Sequence, residues 1–154
     1  MASIHRRFAL VSEAEKLRQR RRLGLTPNRP LGIFVGDWPR RSQGSVGCLI
    51  AAWQKLCRLP NFHGDLLVLG SGPKLNCFQR QVAAAGLQHR IRLLGYQRNV
   101  AEWLAAADVL VAPTKYEACG RKVCTKLCAA GAGGGVCLCG GGRALFGRIA
   151  TAAA

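Results

Sequence analysis

The chain has 154 residues, room for one domain of ordinary size, and 49% of them are apolar, enough for a core and against wholesale disorder. No apolar stretch reaches the ~18 residues of a membrane span, and the opening MASIHRRFAL lacks the apolar block of about 7–15 residues in a secretory signal, so a cytoplasmic or membrane-peripheral location is expected. Charge is the outlying property: 23 Lys and Arg against 7 Asp and Glu, net +16, a balance suited to nucleic acid, an anionic surface or a phosphate-bearing ligand.

Residues 1–30 carry much of that excess, with Arg20, Arg21 and Arg22 consecutive. Within them VSEAEKLRQRRRLGL (11–25) predicts a short charged helix closed by Gly24, its arginine run lying on a solvated face. Thr26-Pro27-Asn28-Arg29-Pro30 then breaks the chain, and a basic lead-in helix and linker end there. LGIFVG (31–36) has the form of a buried parallel strand. Val46, Leu49, Ile50, Trp53, Leu56 and Cys57 fall on one face of a helix that Pro60 stops. LLVLG (66–70) predicts a second strand. Gly70-Ser71-Gly72-Pro73 turns from it into a helix carrying Leu75, Phe78 and Val82, which Gly86 ends. RIRLLG (90–95) predicts a third strand. Asn99 and Glu102 form a capping pair for a helix that turns Val100, Trp103, Leu104 and Ala107 inward, and VLVAP (109–113) is a fourth strand.

Strand and helix thus alternate with short links, which predicts an α/β fold: a Rossmann-like parallel sheet with helices on both faces over residues 31–120. Ligands of such sheets bind outside the carboxyl ends of the strands, here Gly36, Gly70, Gly95 and Pro113. Cys48, Cys57, Cys77 and Cys119 are scattered, the pattern of small buried apolar residues. Cys124, Cys128, Cys137 and Cys139 crowd the tail without the Cys-x2-Cys pairs of a zinc ribbon, so no metal site is expected. His5, His63 and His89 show no partner spacing and are expected on the surface, while Trp38, Trp53 and Trp103 are expected to pack.

From about Arg18 to Gly120, five segments in order, LRQRRRLGL, LGIFVGDWPRRSQG, LLVLGSGP, IRLLGY and AEWLAAADVLVAPTKYEACG, give the chain its closest pattern. Together they resemble the C-terminal, nucleotide-sugar-binding half of the GT-B retaining glycosyltransferases, the glycogen-synthase-like glycosyl transferases group 1. Ala-Asp-x4-Pro-(Ser/Thr)-x2-Glu-x2-Gly is the most specific of the shared motifs. The resemblance implies a donor-binding domain whose substrate is a nucleotide-diphosphate sugar, with no cofactor and no divalent metal. It also implies a separate N-terminal acceptor domain, missing here.

The resemblance makes Glu117 the catalytic-site carboxylate that holds the transferred sugar, with the backbone N–H groups of Ala118, Cys119 and Gly120 turned to the donor. The same carboxylate also suits an ordinary helix N-terminus. In the family a Gly-Arg…Lys-Gly loop follows the first strand. Here Gly36 and Gly44 keep the glycines, but Asp37 and Gln43 replace the two cations, so Arg40 and Arg41 are the candidates for the diphosphate. Gly70, Gly72 and Gly95 permit close backbone approach, and Tyr96 is a candidate wall for the base, or a structural residue.

The resemblance stops near Gly120. RKVCTKLCAAGAGGGVCLCGGGRALFGRIATAAA (121–154) has no carboxylate side chain and no steady period, and its Gly/Ala/Cys composition predicts an irregular tail. When each third codon base is regrouped with the next two, the codons of residues 123–131 permit Val-His-Glu-Ala-Leu-Cys-Arg-Gly, the family's own text. The remaining frame permits Val-Pro-Ala-Val-Val-Ser from Gly131 onward. The tail is therefore expected to be translated out of frame, with Thr125 where the family's second glutamate belongs. A glycosyltransferase fragment of this kind, hexosyl-transferring and retaining in its full form, is expected to be inactive alone. Two other classes stay open. One is a basic nucleic-acid-binding module using residues 16–22 and the tail, although no helix-turn-helix, zinc-finger or aromatic-interleaved strand supports it. The other is a Rossmann-like domain without activity.

Overall fold

A computed structural model describes the protein over residues 11–36, 43–112, 135–140 and 143–147. Helix α1 (Glu13–Arg22) starts at Ser12, whose hydroxyl accepts from the Glu15 N–H at 3.2 Å. It ends in the motif that glycine makes possible: Gly24 lies at φ +64°, and the N–H groups of Gly24 and Leu25 donate back to the carbonyls of Arg21 and Arg20. The strands and helices then alternate as β1 (Leu31–Val35), α2 (Gln43–Leu56), β2 (Asp65–Leu69), α3 (Leu75–Ala84), β3 (Ile91–Gly95), α4 (Val100–Ala106) and β4 (Val109–Ala112). The α3 end repeats the glycine motif at Gly86, φ +67°.

Two further strands, β5 (Gly135–Gly140) and β6 (Arg143–Gly147), complete one sheet in the order β3-β2-β1-β4-β5-β6. All neighbours are parallel except β6, which runs antiparallel to β5. The expectation of an irregular tail is thus corrected over these two segments. Side-chain periodicity carries no information in a stretch of glycine, alanine and cysteine, whereas pairing to β4 needs only backbone N–H and C=O groups. The rest of the tail lies outside the described residues.

β2 is buried along its whole length, which is why its sequence is a continuous apolar run. Its alternate residues feed two cores. Leu66 and Val68 join Val46, Ile50, Trp53, Phe78 and Val82 beneath α2 and α3. Leu67 and Leu69 join Ile33, Leu104 and Leu110 on the opposite face, with Leu23 and Trp103 at its margin. Helices therefore cover both faces of a Rossmann-like sheet, as the alternation of elements predicts. Where α2 crosses β1, a Cβ on Gly32 would stand 2.7 Å from the Trp53 ring, so glycine sets that helix–sheet distance. Trp53 donates to the Gly64 carbonyl at 3.3 Å and meets Phe62 edge-on, centroids 5.5 Å apart.

Three local expectations need correction. Arg20 does not lie on a solvated face. It is 4% exposed, its Nε donates to the Ala106 carbonyl at 2.8 Å, and its Nη1 donates to the carbonyls of Pro27 and Arg29. Its Nη2 meets Asp108 Oδ2 at 2.7 Å. Asn99 precedes α4 without capping it through its side chain; the Glu102 N–H donates to the Asn99 backbone carbonyl, and the Glu102 carboxylate faces Arg22 at 3.6 Å. Cys48 and Cys77 are exposed because α2 and α3 turn them away from the sheet, whereas Cys57, just past α2, is half-buried and packs against the first core as expected; all three thiols are free. Trp53 is buried, Trp103 packs on the second core, and His63 and His89 are exposed, as expected. Trp38 and His5 lie outside the described residues. No described helix is long and apolar enough to cross a membrane.

Candidate functional site

The strand ends at the carboxyl edge are tied into one rim. The Gly36 N–H donates to the Leu69 carbonyl at 3.0 Å, and the Gly70 N–H donates to the Gly95 carbonyl at 2.8 Å. Gly70 and Gly95 hold φ of +124° and +69°, backbone that side-chain-bearing residues rarely adopt, so each turn leaves its strand abruptly. Gly72 lies half-buried in the turn that follows, where its carbonyl accepts from the Leu75 N–H as α3 begins. Tyr96 stands on the same rim, 71% exposed, with an open ring face. Gly44 falls in the first turn of α2, which carries no acidic residue.

Chain connectivity makes one point on this rim special. From β1 the chain steps outward through β2 to β3, then returns to place β4 on the other side of β1. The Gly32–Val109 and Ile33–Leu110 pairs fix that neighbourhood. The strand order reverses between β1 and β4, and sheets of this kind bind ligands at the carboxyl edge of that point. The two loops that leave these strands are those with Arg40 and Arg41, and with Glu117, Ala118, Cys119 and Gly120. Those six residues lie outside the described residues; β1 and β4, the strands that precede them in the chain, are adjacent. The structure thus gathers Gly36, Gly70, Gly72 and Tyr96 on the rim.

The amino edge of β4 is held by a charged cluster to which sequence reading assigned no role. Asp108 Oδ2 accepts from the Leu31 N–H at 2.7 Å and from Arg20, while Oδ1 accepts from Lys16 Nζ at 3.1 Å. Burial pushes the Asp108 carboxyl upward, but the Leu31 N–H, Arg20 and Lys16 outweigh it and leave it below the usual carboxylate value. Burial likewise opposes the Lys16 charge, and the bonds to Glu13 and Asp108 reverse that, leaving its pKa raised. Asp108 is the aspartate of the most specific motif, yet it binds no ligand position: it anchors α1, β1 and β4 together. Burial raises the Cys57 thiol, which is therefore no activated nucleophile.

The family described as Glycosyl transferases group 1 matches residues 29–132, past the Gly120 at which the sequence resemblance was drawn to a close. Among curated proteins, the chain is 31% identical over 112 residues to the lipopolysaccharide core biosynthesis mannosyltransferase LpsB of Rhizobium meliloti (strain 1021). That match covers 69% of this chain and 31% of LpsB, so the chain spans about a third of that relative's length. Among solved structures, it is similar to HepE of Anabaena in complex with UDP and glucose, at TM-score 0.61 and 20% identity, over 84% of this chain and 34% of HepE. It is also similar to the C-terminal domain of the group 1 family protein LpcC of Francisella tularensis, at TM-score 0.61 and 20% identity, over 86% and 67% of the two chains. Both structural likenesses bear on the fold.

Proposed function

The chain belongs to the glycosyl transferases group 1 family, and on that premise we propose that residues 31–120 are the donor-binding half of a retaining, hexosyl-type GT-B transferase acting on a nucleotide-diphosphate sugar. One observation carries the reading: the switch point between β1 and β4 is where the Arg40–Arg41 loop and the Glu117 loop both depart. The complex of HepE with UDP and glucose, and the mannosyltransferase activity in the name of LpsB, support the choice of donor and sugar class.

In this mechanism Glu117 accepts hydrogen bonds from hydroxyls of the transferred sugar and fixes its orientation. Arg40, Arg41 and the N–H groups of Ala118, Cys119 and Gly120 stabilise the charge that grows on the leaving diphosphate, which is electrostatic catalysis without a metal. Gly70, Gly72 and Gly95 let the backbone approach the donor, and Tyr96 walls the base. The acceptor binds mainly outside residues 31–120, and this donor-binding half by itself does not turn over. The tail, residues 121–154, is translated out of frame; an uninterrupted read of the locus that encodes the same tail would overturn that part.

Titration calorimetry with UDP-glucose, GDP-mannose and the two nucleoside diphosphates tests the donor reading. Saturable binding of one pair is expected. Glu117→Ala should weaken the nucleotide sugar by about tenfold, the scale of one lost charge-assisted hydrogen bond, and the nucleoside diphosphate far less. A folded protein that binds none of the four is a Rossmann-like domain without this activity. The nucleic-acid reading is less favoured, because Arg20, the centre of its basic run, is enclosed in the interior.

A further inference from the structure

A second concavity lies at the opposite, amino edge of the sheet, away from the proposed donor site. It has a volume of about 410 Å3, within the range of about 300–1,000 Å3 typical of small-molecule clefts. Its inner wall is apolar: Leu25, Leu31 and Leu67 line it and are buried. Its outer wall is basic, formed by His89, Arg90 and Arg92.

The electrostatics of that wall are unbalanced. Asp65 is the carboxylate lining the cavity, and it is already engaged, by Arg90 Nε at 2.9 Å and Arg29 at 3.5 Å. The Arg90 Nη2 donates to the carbonyls of Phe62 and Gly64, while its Nη1 has no partner among the described residues. Arg92 makes one long contact, Nη1 to the Gly24 carbonyl at 3.4 Å, and its remaining donors have no partner among the described residues. His89 is exposed beside them. Gly24, on the cavity wall, carries no side chain, and a Cβ there would meet nothing within 4 Å among the described residues.

A guanidinium with unused, fork-shaped donors over an apolar floor suits a carboxylate or phosphate head group with an apolar body. We propose that this amino-edge cavity binds a small organic anion, with Arg92 and Nη1 of Arg90 on its head group and Leu25, Leu31 and Leu67 against its apolar part. The site is separate from the donor cleft and is occupied independently of it.

Backbone amide NMR of the whole chain, titrated with benzoate, phenyl phosphate and uncharged benzyl alcohol, tests this. At least one anion should shift the amides of Gly24, Leu25, Thr26 and of Gln88 to Arg92 saturably, and the tighter of the two identifies the head group. Arg92→Gln and, on the exposed turn, His89→Glu should each weaken that anion by about fivefold or more, with melting curves like the parent's. The proposal is overturned if neither anion shifts those amides, if benzyl alcohol binds as tightly as both anions, or if both variants bind like the parent.

Discussion

Arg20 shows how a single side chain can join distant parts of a chain. Its guanidinium satisfies three carbonyls and one carboxylate, so truncation strands several buried acceptors at once. Arg20→Ala should destabilise the fold by about 3–5 kcal/mol in urea unfolding, the cost of breaking a buried pair from one side. Asp108→Asn should cost less, near the lower end of about 1.5–3 kcal/mol, because its side chain is 35% exposed and solvent screens it. Its pH signature is more telling. The folded carboxyl sits below its ordinary value of 3.8, so the unfolded chain takes up the proton first as pH falls. The stabilisation is therefore present above the ordinary carboxylate range and lost as pH drops through the folded value. In urea unfolding as a function of pH, Asp108→Asn should flatten the acid limb of stability and, by removing a partner of Lys16, also reduce the Lys16 contribution on the alkaline side. Lys16, raised above its ordinary 10.5, contributes below that value and loses its contribution only as pH rises beyond it.

At the scale of elements, helix ends and crossings follow short-range chemistry. Gly24 and Gly86 terminate α1 and α3 through the same pair of backward hydrogen bonds, and both ends are legible in sequence because the residues involved are neighbours. The α2–β1 crossing depends on Gly32, whose missing side chain admits the Trp53 ring. Gly32→Ala should cost about 1–3 kcal/mol, since the wedged indole has little room to retreat. Pairing it with Trp53→Phe should return part of that loss relative to the sum of the single changes, a coupling that a double-mutant cycle of urea unfolding measures. Other element-level expectations fail for equally local reasons. Asn99 has the right spacing to Glu102, but the α4 start satisfies its N–H from a backbone carbonyl instead. In β5 and β6 strand pairing arises where composition offers no pattern, because the edge of β4 provides the hydrogen-bonding template.

For the whole molecule, the sequence by itself determined the alternation of strands and helices, the glycine-ended turns and the motif-bearing loops. Each of these rests on residues within a few positions of one another, where periodicity and backbone stereochemistry act directly. Only the tertiary structure decided that β4 returns to lie beside β1, so that strands far apart in sequence end side by side. It also decided that an arginine of the lead-in helix is buried against an aspartate 88 positions away, and that unused guanidinium donors meet an apolar wall at the amino edge. A basic residue has the same local pattern whether it faces water or a carboxylate from another element. Its partner is chosen by the path of the chain through space, and that path is set by packing both faces of the sheet at once.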